Sequence, residues 1–389
     1  MRSIQIIVLT LISMSFGDST SVSAGPYPAV PVAVVGPEER GAKQPQAAVD
    51  GEGRIFVTFG VEDTIRCATS IAGGKTFRVA TVGSAGRLAL GMRRGPRIAV
   101  AGRTLVVTAV VGAMGKGRDG DLMAWRSIDQ GTSWTGPTQV NTVDGSAREG
   151  LHGMAGAVDG SLYCVWLDLR SQKTELFGAR SNNGGMSWEA DHLVYRSPDG
   201  SICECCHPSV SFATNGTLHV MWRNSLDGAR DLYVTHSKNG GKTFGNAEKL
   251  GKETWLLKAC PMDGGAIAVG TQGRVETVWM REGAIYAATP GHPERKLGPG
   301  VQGWVAAGPG GPVAAWLAQR SGPLMVQLPT ERDPIVLSAE ARDPMVASDP
   351  AGRGPVVVVW EAKPENGGIL AAVLTPSSDK SSLEASPNK

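Results

Sequence analysis

Residues 203–207 place three cysteines and a histidine within five positions: Cys203, Cys205, Cys206 and His207. Cys203, Cys206 and His207 read as C-x-x-C-H, the spacing that attaches haem c. Cys205 falls inside that spacing, where a haem site has no use for it and where it would compete during attachment. Disulfides are a second reading. With Cys260 counted, four cysteines permit three connectivities, and any of the first three could be pinned to the fourth. A soft-metal site is the third. Thiolate, imidazole and thioether suit copper(I), and zinc accepts Cys and His. The compartment, the fold and the neighbours in space decide between them.

The N-terminus bears on the compartment. Arg2 supplies a positive start, and 4–16 is an apolar run too short to span a bilayer. Val22 and Ala24 suit the −3 and −1 positions of a cleavage site. Residues 1–24 are therefore predicted to be a cleavable signal peptide, which makes the chain periplasmic or secreted. Disulfides persist in such places. No other stretch is long and apolar enough to be a membrane span. The chain has 389 residues, 41% hydrophobic, with a net charge of +2, which is ample for a large core and gives no basic face for nucleic acid.

Elements that could position the cluster emerge from repeats. "SIAGGKTF", "SIDQGTSW", "SNNGGMSW" and "SKNGGKTF" begin at Ser70, Ser127, Ser181 and Ser237, spaced by 57, 54 and 56 residues. Each fits S-x-(D/N)-x-G-x-(T/S)-(W/F), with Ala72 in place of the acid in the first. Such a stretch makes a hairpin turn: the acid or amide bonds its own backbone, and glycine takes the positive φ. A second repeat, x-A-x-x-x-G-x-(L/V)-x-V-x-W, recurs seven times between 45 and 360 as paired strands. In the third copy Leu162, Cys164 and Trp166 share one face and Tyr163 and Val165 the other, both apolar, as expected where sheets stack face to face. Trp166, Trp222, Trp279, Trp316 and Trp360 fall at one repeat position and are expected to pack between sheets rather than to form a sugar platform.

The first repeat resembles the Asp box, or BNR repeat, of sialidase-like β-propellers. That resemblance implies an all-β fold of four-stranded blades over 25–376, followed by a disordered polar tail at 377–389. Seven blades are favoured, with six as the alternative. The spare strand at 29–36 would close the ring by completing the last blade, which removes exposed edges. In this family the Asp box joins the third and fourth strands, so it marks the face opposite the one that carries function.

On that functional face, blades three to five bring together His152, the cysteine segment with His207, and Cys260 with Met262. These seven residues, Cys203, Cys205, Cys206, His207, Cys260, Met262 and His152, are the candidate metal site. Cys67 and Cys164 fall in strands of non-adjacent blades and are expected to be buried free thiols.

Sialidases clamp a carboxylate with three arginines and use a Tyr–Glu pair and an Asp. The candidates for such work are Arg97, Asp168, Arg170, Arg223, Arg230 and Asp231. Arg97 and Ile98 match the family's R-I-P motif without its proline, and no tyrosine follows Tyr286, where the family's nucleophile comes late. Glu361 is a lone carboxylate at the same mouth. A closer resemblance is to a group of exported bacterial sialidase-like proteins that share the C-x-C-C segment, "WRN…RDLY" and "CPMDGG", here at 203–206, 222–233 and 260–265. That resemblance implies export and a common top-face site and supplies no reaction. The expectation is a binding protein for a soft metal (copper or zinc) or a small anionic ligand. The alternative is a glycoside hydrolase acting on a glycan. A third reading, a scaffold for a protein partner, predicts oxidised cysteines.

Overall fold

The computed structural model of the protein describes residues 30–115, 117–363 and 368–374. The segments read as signal peptide and polar tail lie outside them. Strands of two to nine residues, punctuated by glycine turns, build seven antiparallel sheets in a ring. The fold is a seven-bladed β-propeller, which settles the count between six and seven. Blades three, four and five begin with the inner strands His152–Gly156, Ser209–Phe212 and Ala266–Val269. The first strands of all seven blades line an axial cavity of about 190 Å³.

Closure follows the expected route. Val32 and Ala33 pair antiparallel with Ala371 and Leu370, so the N-terminal strand becomes the outer strand of the last blade. Blade two adds a short strand, Arg87–Leu88, against its second strand.

Period-two alternation decides what each blade face meets. Leu162, Cys164 and Trp166 pack with Ala99, Val106 and Leu122 of blade two. Tyr163, Val165 and Leu167 pack with Val210, Leu218 and Trp222 of blade four. The five repeat-position tryptophans are all buried between blades. Truncating any of them to alanine should cost roughly 3–5 kcal/mol. Cys67 and Cys164 are free and fully buried in these layers. Burial pushes the Cys67 thiol up to about 12 and raises Cys164 as well, so both are inert.

The four Asp boxes have one geometry. Ser70, Ser127, Ser181 and Ser237 each accept, on Oγ, the N–H of the glycine four residues on, at 2.9–3.0 Å. Those glycines have φ of 77–91°, which the turn requires and other residues resist. Asp129, Asn183 and Asn239 then accept a backbone N–H four residues on at 2.9–3.0 Å. No helix among the described residues is long and apolar enough to cross a membrane.

Candidate functional site

Two loops on the face opposite the Asp boxes carry the four clustered cysteines. One runs from blade three into blade four and holds Cys203, Cys205 and Cys206. The other runs from blade four into blade five and holds Cys260. Cys205 and Cys260 form a disulfide across 55 positions. The sulfur of Cys203 lies 3.4 Å from that of Cys206 and 3.8 Å from that of Cys205, and Cys205 and Cys206 are 3.9 Å apart. Cys203 and Cys206 are buried free thiols, Cys205 is half-buried and Cys260 is exposed. The cluster is thus layered from solvent inward.

Arg223 holds both loops. Its carbonyl accepts the Cys203 N–H at 3.1 Å. Its buried guanidinium donates to the carbonyls of Asp263 at 2.8 Å, Met280 at 2.7 Å and Arg230. The "DGG" that follows Met262 is a packing requirement. A Cβ on Gly264 would strike the His207 backbone, and Gly265 has a φ of 73° with the Val278 carbonyl against it.

The thiols differ in character. The hydrogen bond shared with Cys206 is the largest influence on Cys203. With the Cys205 N–H and the charges of Arg223 and Arg230, it outweighs burial and brings Cys203 down to about 7. Cys206 moves the other way, well up, through burial and the neighbouring sulfur. One thiolate beside one thiol, under positive charge, is a nucleophilic and metal-ligating arrangement.

Of the seven candidate metal ligands, the structure groups Cys203, Cys205 and Cys206, whose ligand atoms lie within 4.8 Å of one another, with Cys260 bonded to Cys205. Neither imidazole joins that group among the described residues. His207 stacks on Trp304 of blade six at 5.4 Å between centroids, and His152 shares a hydrogen bond with the Thr108 hydroxyl of blade two at 3.1 Å. Met262, half-buried with a φ of 57°, makes the turn between Cys260 and Asp263. The geometry also fails to suit haem. Cys203 and Cys206 face each other, and they and His207 are all buried, leaving no open edge for a porphyrin.

Both histidines belong to a second, axial group. Arg93, Arg97, His152, His207, Asp263, Gln302 and Asp343 stand just before or at the start of the inner strands of blades two to seven. Burial, reinforced by arginine charges, drives both histidines well below their ordinary range, so they are neutral. Asp263 accepts the Gln302 N–H at 2.6 Å, Gln302 donates to Asp343 at 3.1 Å, and Arg93 donates to the Pro344 carbonyl at 3.0 Å. The sequence reading missed Arg93, Gln302 and Asp343. A usable signal exists: Gln44, Gln302 and Asp343 each precede Pro or Gly at the second position of an inner strand, and each has a φ of 43–61° at a register shift.

The candidate catalytic residues are engaged within the protein. Arg97 donates to the carbonyls of Arg93, Gly95, Pro96 and His152. Arg170 bridges Asp168 at 2.9 Å and Asp191 at 2.7 Å and lies over the Phe177 ring. Asp168 also accepts the Trp166 indole N–H at 2.9 Å. Arg230 donates to the Ser225 hydroxyl and the Ala229 carbonyl. Asp231 accepts the Trp255 N–H at 2.9 Å and pairs with Lys249 at 3.7 Å. Glu361 sits beside a cleft of about 620 Å³ between the last and first blades and accepts the Gln44 N–H at 2.7 Å. Burial, then the Asp343 charge, pushes its carboxyl up to about 7.

Residues 92–270 match the family model described as BNR repeat-like domain. The chain is a seven-bladed β-propeller, and the BNR repeat-like match covers somewhat less than half of it. Among solved structures it is similar to an α-L-arabinanase of Penicillium chrysogenum complexed with arabinobiose, at 13% identity and a TM-score of 0.54, covering 90% of this chain and 99% of that one. A protein of unknown function from Dyadobacter fermentans aligns at 16% identity and a TM-score of 0.53, over 91% of this chain and 100% of that one. A Hadza microbial sialidase aligns at 14% identity and a TM-score of 0.53, over 89% and 68% of the two chains. At these identities the likeness is one of fold. A search of curated proteins found no match.

Proposed function

We propose that the protein is an exported binding protein whose sulfur cluster takes a soft metal ion, copper(I) or zinc. One observation carries the reading: the sulfurs of Cys203, Cys205 and Cys206 converge within 3.4–3.9 Å, with Cys260 bonded to one of them. With the Cys205–Cys260 bond reduced, convergent thiolates on two anchored loops favour copper(I) or zinc over harder ions. His207 and His152 fall to the axial group, so sulfur dominates the donor set. The signal-peptide reading of 1–24 supports export.

Titration with copper(I) against a chromophoric chelator tests this. The reduced protein should withdraw about one equivalent. The Cys203→Ser/Cys206→Ser double variant should withdraw none. Equal withdrawal by both would overturn the reading.

A second reading is glycoside hydrolysis. It draws on the arabinan- and sialic-acid-directed neighbours and on Glu361, a carboxyl held near neutrality beside an open cleft, where a general acid would need to be. Chromogenic arabinofuranosides and sialosides should then be cleaved, with at least a hundredfold loss in Glu361→Gln. No cleavage by the folded protein would remove this reading.

A further inference from the structure

We infer that Cys260 is a thiol-exchange site for a dithiol partner, and that opening its bond to Cys205 completes a four-sulfur metal site. The inference deepens the soft-metal reading and rests on it for its second half.

A disulfide between two loops is ordinarily a staple, but this one is redundant as such. The Cys203 loop already hangs on the Arg223 carbonyl, and the Cys260 loop hangs on the Arg223 guanidinium through Asp263. What the bond does instead is withhold two sulfurs from a group of four. While it is closed, Cys203 and Cys206 are the thiols of the cluster, and two thiolates alone make a poor site for zinc or copper(I).

The layering fixes how the bond can open. Cys260 is exposed, Cys205 is half-buried, and Cys203 and Cys206 are buried behind it. An external thiolate can therefore reach the Cys260 sulfur most directly. Its attack forms a mixed disulfide on Cys260, breaks the bond to Cys205 and leaves the electron pair on Cys205. That leaving sulfur stays 3.8–3.9 Å from Cys203 and Cys206, in a cluster where Arg223 and Arg230 supply positive charge. The partner's second thiol then attacks its own mixed-disulfide sulfur and releases Cys260. Two electrons and two protons pass from the dithiol to the protein, the dithiol becomes a disulfide, and four cysteines stand reduced.

The test uses the full protein without denaturant. It is equilibrated in dithiothreitol buffers of graded strength, alkylated and mapped by mass spectrometry, with circular dichroism recorded on the same samples. Copper(I) affinity is measured in the closed and open states. The expected result is labelling of Cys205 and Cys260 while the fold is unchanged, with at least tenfold tighter copper(I) binding after opening. Cys260→Ser should free Cys205 without reductant and bind copper(I) more tightly than the closed protein, but less tightly than the reduced protein, which keeps the fourth sulfur. A bond that opens only as the protein unfolds would overturn the inference. So would equal affinity with the bond closed, which leaves the metal reading standing. Absence of copper(I) binding in both states would overturn the two together.

Discussion

The two ends of the propeller solve their polar problems on different length scales. At the Asp-box end, Ser127 and Asp129 bond backbone N–H groups no more than four positions away, and Ser181 with Asn183 and Ser237 with Asn239 do the same. At the mouth, Arg223 reaches Asp263 and Met280, 40 and 57 positions on, and Glu361 meets Gln44 across 317. Local closure makes each Asp box an independent, replaceable unit. Long-range closure makes the mouth cooperative, so that removing one side chain leaves several others unpaired. Function accumulates where groups from many blades must agree.

That contrast has measurable consequences. Arg223→Met removes three bonds to carbonyls, two of them in fully buried contacts, and should cost about 3–5 kcal/mol in urea unfolding. A cost near that of an Asp-box change would break the contrast.

Glu361 comes next. Its folded value, raised to about 7, means that its contribution to stability is complete below the unfolded range near 4.5 and is lost as pH rises through 7. The effect is at most about 3 kcal/mol. Glu361→Gln should flatten that part of a pH–stability curve, and an unchanged curve would contradict the assignment.

His207 has the opposite sign. It is held neutral, so its contribution is complete above about 6.5 and is lost as the unfolded chain takes up a proton below that pH. His207→Asn should remove that slope below about pH 6.5 in the same unfolding series.

The smallest effect belongs to the Asp-box end. Asp129→Ala should shift the unfolding free energy by about 1 kcal/mol and leave blades three to seven untouched in hydrogen exchange.

Legibility in the sequence follows the same division. The Asp boxes, the alternation at 162–167 and the closing strand were readable because each is a local pattern with a fixed period. The cysteine loops were readable as neighbours because blade order brings consecutive entry loops together. The split of His152 and His207 from the sulfurs was not, since side-chain direction depends on Trp304 and Thr108 in other blades. Nor was the engagement of Arg97 and Arg170, whose partners include carbonyls and an aspartate outside any repeat. Gln302 and Asp343 were hidden because a bulge turns them inward, and only the Pro or Gly after them hints at it.

The most direct test of the central claim is the metal content of the protein, isolated with neither added metal nor chelator and measured by elemental analysis. The account predicts about one copper or zinc per chain, carried as isolated or taken up once the cysteines are reduced, and lost when Cys203 and Cys206 are both serine. A folded protein that carries neither metal, and takes up neither after its cysteines are reduced, would contradict it.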